Sequence, residues 1–109
     1  MMTLSELAQG LNKLYPTRFS HFTSKQDPPF ICYIDTDYDN TSADNKVIVE
    51  GAYIDIELYT KTKDLTAERK IKSFLNENEL PYTQSPTIHL ESEGLFQCVF
   101  SIKLLNKID

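Results

Sequence analysis

The sequence predicts an α+β fold in which one mostly antiparallel sheet of four to five strands carries two helices on one face, in the order α-β-β-β-α-β-β. Three observations predict it. Residues 52–60 alternate apolar with polar or aromatic side chains, as a half-buried strand does. Segments with apolar residues at helical spacing lie before and after this strand. A second hairpin is indicated near the end of the chain, so the helices can cover one apolar sheet face.

Composition and charge indicate one globular domain. A length of 109 residues suits a single apolar core, so we expect one domain spanning residues 1–109. Eleven Lys and Arg residues against sixteen Asp and Glu residues give a net charge of −5, which disfavours nucleic acid as a partner and favours proteins. Residues 1–10 contain no basic side chain, and no apolar run reaches the roughly 20 residues that span a bilayer. We therefore expect no membrane partner and a protein that is made and kept in the cytosol, or in something assembled there.

The first element is a helix that begins at Thr3. Thr3 and Glu6 have the spacing of a capping box, in which each side chain accepts a hydrogen bond from a backbone N–H at the helix start. Pro16 forces the helix to end. The apolar stripe consists of Leu4, Leu7, Ala8, Leu11 and Leu14.

Strand-forming segments follow the first helix. Residues 18–22 are predicted as a short strand or an extended segment, and Phe30–Ile34 as a strand. Residues 35–46 are polar throughout, which predicts a long exposed loop. Lys46–Thr60 resumes the alternation, with a bulge or bend expected at Gly51, and completes a hairpin with a long tip.

A second helix and a second hairpin complete the predicted fold. Asp64 is the expected N-cap, and the helix should end near Asn78. Its apolar stripe consists of Leu65, Ile71, Phe74 and Leu75. Thr87–Leu90 is predicted to pair with Leu95–Leu104 across a turn at residues 91–94. The last strand should present one apolar face made of Phe96, Cys98, Phe100, Ile102 and Leu104.

The sequence indicates no catalytic, cofactor-binding or metal-binding constellation. Asp35–Asn40 has carboxylates at alternate positions, as a calcium loop begins, but Lys46 stands where a bidentate Glu is required and Asn40 where the turn needs Gly. His21 and His89 lack zinc-ligand spacing, and three scattered glycines build no phosphate-binding loop. We therefore expect no enzyme, no metal and no cofactor.

The two cysteines, Cys32 and Cys98, each lie in an apolar, strand-like run. Because the sequence has no secretion signal, we expect buried, reduced thiols. A disulfide between them stays open as the alternative.

Tyrosines give the polar side of the predicted central sheet an aromatic character, to which Asp55 and Glu57 add negative charge. The residues concerned are Tyr33, Tyr38, Tyr53 and Tyr59. Two interpretations are open. One is ordinary cross-strand pairing on a solvated face, and the other is a protein interface, where Tyr is enriched because it buries area while keeping a polar tip.

Six short runs between residues 20 and 93 carry a family resemblance that covers nearly the whole chain, roughly residues 2–104. They are Ser20-His21-Phe22, Asp27-Pro28-Pro29-Phe30, Ser42-Ala43-Asp44-Asn45-Lys46-Val47, Ile56-Glu57-Leu58-Tyr59-Thr60-Lys61, Lys63-Asp64 and Glu91-Ser92-Glu93. Together they resemble small proteins encoded in prophages of low-GC Gram-positive bacteria. Those proteins are usually described as minor capsid, head-tail joining or tail-terminator-like proteins of long-tailed phages.

The resemblance implies a non-enzymatic tail terminator, whose subunits form a ring, usually a hexamer, that caps the tail tube and presents the surface to which the head attaches. It implies three partners, namely copies of the chain itself, the tail tube protein and a neck or head-completion protein, and a location at the head-tail junction of the virion. Two alternatives are open. One is a neighbouring neck or head-completion protein of the virion, and the other, from a different class, is a small acidic regulatory module that binds a host protein.

We expect the contacts of such an assembly protein on the polar loop and on the outward side of the central strand. Both regions combine exposure with polar or aromatic side chains. The candidate interface residues are Asp37, Tyr38, Asp39, Asn40, Tyr53, Asp55, Glu57 and Tyr59.

Overall fold

The computed structural model describes residues 2–107, which form two helices and seven strands. In chain order the elements are α1 (Leu4–Asn12), β1 (Thr17–Phe19), β2 (Phe30–Tyr38), β3 (Thr41–Ala43), β4 (Lys46–Thr60), α2 (Leu65–Glu77), β5 (Thr83–Gln84), β6 (Ile88–Leu90) and β7 (Leu95–Lys107). The α+β class with two helices is confirmed. The observed order is α-β-β-β-β-α-β-β-β, so the prediction of four to five strands is too low.

The sheet is mixed and open rather than wholly antiparallel. Its main path runs β1-β2-β4-β7-β5, while β3 pairs with β4 and β6 pairs with β7. The long pairs β2–β4 and β4–β7 are antiparallel, as predicted, and so is the hairpin of β6 with β7. β1 instead runs parallel to β2, with Thr17 opposite Ile31 and Phe19 opposite Tyr33. A three-residue strand has too few side chains to reveal its direction in the sequence.

The core lies between both helices and one face of the sheet. Ile54, Ile56 and Leu58 of β4 are buried there, as the alternation predicted. The helices contribute to the same cluster through Leu7, Leu11, Ala67, Ile71 and Leu75. We call this side of the sheet the core face and the opposite side the outer face. Because both helices pack on the core face, as predicted, neither of them covers the outer face.

The helix ends are set by side-chain caps. The Thr3 hydroxyl accepts a hydrogen bond from the Glu6 N–H at 3.1 Å, and the Glu6 carboxylate accepts one from the Thr3 N–H at 3.0 Å, so the predicted capping box is confirmed. The Asp64 carboxylate caps α2 by accepting from the Ala67 N–H at 3.0 Å. Leu65 is wrong as a member of the apolar stripe, since it is 63% exposed in the first turn of α2.

The predicted loop at residues 35–46 is wrong, because most of it is strand. β2 continues to Tyr38, and β3 pairs with the start of β4 across a turn at Asp44 and Asn45, whose φ angles of 52° and 64° suit a tight hairpin. Backbone pairing tolerates polar side chains where both sides of a strand face water. We call residues 38–49 the arm. The molecule as a whole measures 51 × 27 × 23 Å.

The expected irregularity lies in β2 rather than at Gly51. The register of β2 against β4 shifts between Asp35 and Asp37, which leaves Thr36 as an extra residue. The pairing of β4 with β7 passes Gly51 without a shift. The bulge therefore changes which side chains of β2 reach the outer face.

The cysteines are buried and free, as predicted. The register puts Cys32 opposite Glu57 on the outer face and Cys98 opposite Leu58 on the core face. Since the two thiols lie on opposite sides of the sheet, the alternative of a disulfide between them is wrong.

Candidate interaction surface

The outer face is built by three long strands whose side chains line up in rows. Across β2, β4 and β7 these rows are Phe30–Tyr59–Gln97, Cys32–Glu57–Val99, Ile34–Asp55–Ser101 and Asp37–Tyr53–Lys103. The two middle rows each contain one carboxylate beside apolar or small side chains. The two end rows consist mainly of aromatic and charged side chains. Most of these residues are half-buried.

Six of the eight candidate interface residues meet on this face. Tyr53, Asp55, Glu57 and Tyr59 alternate along β4, as predicted, and Asp37 joins the row of Tyr53. Asp39 also lies on this face, as its ion pair with Lys103 shows: the Asp39 carboxylate is 2.9 Å from Lys103 Nζ. Asn40 lies in the connection between β2 and β3 and is exposed.

The prediction is wrong for Tyr33 and Tyr38, which belong to the core face. Tyr33 stands opposite Ile56 and packs against the core. Tyr38 stands opposite Ala52, and its hydroxyl donates a short hydrogen bond to the Asp35 carboxylate on the same side. The bulge explains the second error, because one extra residue inverts the facing of every position after it.

Tyr59 is held by contacts on three sides. The Gln97 side-chain amide donates to the Tyr59 hydroxyl at 2.9 Å, and that hydroxyl donates to Glu57 Oε1 at 3.1 Å. The Tyr59 ring stacks on Phe30 with 4.9 Å between centroids. Burial, followed by the negative charge of Glu57, raises the pKa of Tyr59 to about 12, so it stays a neutral donor at physiological pH. Contacts within the chain therefore order this row.

At the other end of the face lies an acidic depression of about 520 Å³ that is open to solvent and lined by residues that include Asp39, Tyr53 and Asp55. Beside two of these residues lies Lys103. Its ammonium pairs with Asp39 at 2.9 Å and lies 5.0 Å from the centroid of the Tyr53 ring. Nearby, the Ser101 hydroxyl donates to Asp55 Oδ1 at 2.6 Å. An ion pair and a hydrogen bond thus connect side chains around the depression.

The acidic side chains of the outer face exceed its cations. Among residues 2–107 the ion pairs are Lys63 with Glu68 and Lys103 with Asp39. Asp55 and Glu57 thus have no cationic partner within the described chain. Burial raises the pKa of the Glu57 carboxyl above its ordinary value, the hydrogen bond from Tyr59 lowers it, and the neighbouring Asp55 charge raises it further. The outer face therefore carries a half-buried carboxylate, that of Glu57, which has no cationic partner within residues 2–107.

The outer face presents hydrogen-bonding groups, aromatic area and negative charge. Burial raises the pKa of the Cys32 thiol to about 11, with Glu57 and Glu93 adding to the shift, so the thiol is protonated and unreactive at neutral pH. Within residues 2–107, no group of three or more His, Cys, Asp or Glu side chains could hold a metal ion. In the same range, neither helix is long and apolar enough to cross a membrane.

One polar cluster that the sequence prediction missed lies at the start of α2. Glu68 is 4% exposed, and its carboxylate accepts from Lys63 Nζ at 2.7 Å and from the Gln84 amide at 2.9 Å. The cluster ties the connection before α2 to β5. The sequence contains a signal of this cluster, because Glu68 lies at helical spacing from the buried Ile71 and Leu75 and so falls on the same side of α2.

A scan against protein-family models and a search of curated proteins both find no match to this chain.

Proposed function

We propose that this chain is a non-enzymatic assembly protein of a phage particle, namely a tail terminator that caps the tail tube and joins the tail to the head. The six runs that resemble prophage structural proteins motivate this role. The observation that carries it is the outer face, a broad and half-buried sheet surface. Within residues 2–107 neither helix covers this face, and Asp55 and Glu57 on it have no cationic partner.

The outer face has the properties of a surface prepared for a protein partner. Tyr53 and Tyr59 can bury aromatic area, and the Tyr59 hydroxyl can keep its hydrogen bonds while it does so. The contacts among Gln97, Tyr59 and Glu57 already fix the side-chain rotamers, which lowers the entropy lost on association. A partner that supplies cations would pair with carboxylates that now lack them.

The arm gives the chain a second surface with a different direction. Its side chains are exposed from Asp39 through Ile48, including Val47 and Ile48, which are 37% and 40% exposed. A subunit with two unlike contact surfaces can associate head to tail, and such contacts close into a ring when the rotation permits. In the virion we assign these surfaces to copies of the chain, to the tail tube protein and to a neck or head-completion protein.

Electron microscopy of an induced lysate from a strain that lacks this gene tests the role. We expect DNA-filled heads beside unattached tails of variable, abnormal length, because a tail without its cap continues to polymerise. Supplying the gene on a plasmid should restore whole particles, whereas a plasmid copy with early stop codons should not.

Other outcomes assign the chain elsewhere. Tailless heads that have lost their DNA would move the role to a neighbouring neck or head-completion protein. Normal particles would overturn the virion role. The acidic outer face would then favour a small regulatory module that binds a basic host protein.

A further inference from the structure

The exposed side of α2 carries unpaired positive charge. Arg69 and Lys70 are exposed and Lys72 is half-buried, and none of the three forms an ion pair with a carboxylate within residues 2–107. Lys70 is positioned over the Tyr15 ring, with Nζ 5.2 Å from the ring centroid. In a chain of net charge −5, this helix is a local positive surface.

A groove of about 350 Å³ lies beside these cations on the helical side of the molecule. Leu14 and Phe74 supply its apolar wall, Arg69 and Lys70 line it, and Glu77 is its acidic member. The helices approach closely here, since a Cβ at Gly10 would overlap the Phe74 ring. The groove is thus an apolar notch edged mainly by positive charge.

The outer sheet face is the chemical complement of this groove and lies on the opposite side of the core. It presents tyrosine rings together with Asp37, Asp55 and Glu57, which lack cationic partners in the described chain. Two outer faces would repel each other, and so would two α2 surfaces, because like charges would meet. An outer face and an α2 groove would attract each other, because their charges are opposite.

We propose that the outer sheet face of one copy docks against the α2 groove of the next copy, so that the subunits associate head to tail. The Tyr53 or Tyr59 ring would enter the notch between Leu14 and Phe74, while carboxylates of the outer face pair with Arg69 and Lys70. This inference specifies the contact of the proposed ring and rests on that proposed function.

Sedimentation of purified charge-reversal variants tests the contact. The first variant, Asp37→Lys with Asp39→Lys, reverses exposed charge on the outer face, and the second, Arg69→Glu with Lys70→Glu, reverses α2. A control variant, Glu79→Lys with Glu91→Lys, has the same net charge as the first but changes neither surface. Circular dichroism verifies that all three fold.

We expect the wild type to associate with rising concentration at about 20 mM salt and to return to monomer at about 0.5 M salt, because salt screens such contacts. Each of the first two variants alone should lose this association. An equal mixture of them should regain it, since each then offers the complement that the other needs. The control variant should associate as the wild type does.

A wild type that stays monomeric at low salt, or a mixture of the two variants that stays monomeric, would overturn the proposed contact. A control variant that loses the association as the first variant does would also overturn it, since net charge rather than the charge of the outer face would then decide the result. The assay uses the purified chain alone. A deletion strain that makes normal particles would therefore refute the virion role without changing this result.

Discussion

At Glu57 the outer face holds a carboxylate that water reaches only in part. Its position between Cys32 and Val99 in the cross-strand row explains the burial that raises its pKa, and the negative Asp55 adds to the shift. The hydrogen bond from Tyr59 opposes the shift without cancelling it. In the isolated chain this carboxylate is destabilising when it is ionised, and a partner's cation would remove that cost.

We expect Glu57→Gln to raise the melting temperature of the isolated protein by about 2 °C at pH 7. A carboxyl whose pKa is higher in the folded than in the unfolded state favours folding most below the unfolded pKa, and this contribution is lost as pH rises through the folded pKa. The gain from Gln should therefore shrink as pH falls and vanish below about 4.5, the ordinary value. Thermal unfolding followed by circular dichroism at several pH values measures it.

The matched control is Glu50→Gln, which removes an exposed carboxylate from the same strand. It should change the melting temperature little at any pH, because a fully hydrated carboxylate gains nothing from neutralisation. If Glu57→Gln lowered the melting temperature at pH 7, or if its effect did not change with pH, burial of the Glu57 charge would be refuted.

At the scale of elements, Gly51 sets how closely the arm approaches the rest of the sheet. The Asp39 N–H donates to the Gly51 carbonyl at 2.8 Å, which brings the end of β2 against β4. A Cβ on Gly51 would overlap the Asp39 carbonyl oxygen and would lie 2.7 Å from Lys103 Cε. The Asp39–Lys103 ion pair on the outer face thus depends on a residue without a side chain.

Gly51→Ala should destabilise the fold by about 1–3 kcal/mol, because the backbone of Asp39 must move to accommodate the methyl group. Urea unfolding monitored by tyrosine fluorescence measures the change. Glu50→Ala is the control at the adjacent exposed position and should cost much less. Equal midpoints for the two variants would contradict the close approach.

The sequence predicted those elements in which burial of one face alone sets the spacing of the apolar side chains. β4 and β7 each bury one face, so their alternation gave both the strands and their facing, and four outer-face residues of β4 followed from it: Tyr53, Asp55, Glu57 and Tyr59. Both helices followed from their caps and stripes. These signals are local, and the structure preserves them.

The remaining features depend on tertiary context that no local pattern reports. β2 has Ile31 and Cys32 buried on opposite faces, so its apolar run gave no facing, and the bulge at Thr36 has no mark in the sequence. That bulge places Asp37 on the outer face and Tyr38 on the core face, so the prediction that Tyr38 lies on the polar side of the sheet is wrong. The acidic arm lacks apolar alternation because both of its sides face solvent.

For the whole molecule, the separation of charge matters more than its total. Acidic and aromatic side chains lie on the outer face, and cations that form no ion pair within residues 2–107 lie along α2, with the core between them. A domain with this polarity repels a copy in the symmetric arrangement and attracts one in the head-to-tail arrangement. The ring that we propose is compatible with this arrangement, and the arm adds exposed surface beyond it.

The most direct test of the virion role is the quantity of this protein in density-gradient-purified phage particles, measured by mass spectrometry relative to the tail tube protein. We expect a constant ratio across all fractions that contain whole particles, and its retention after high-salt washing, while an abundant host cytoplasmic protein falls to background. A protein that is present in the lysate but falls to background with the host control would contradict the role and would favour a regulatory module.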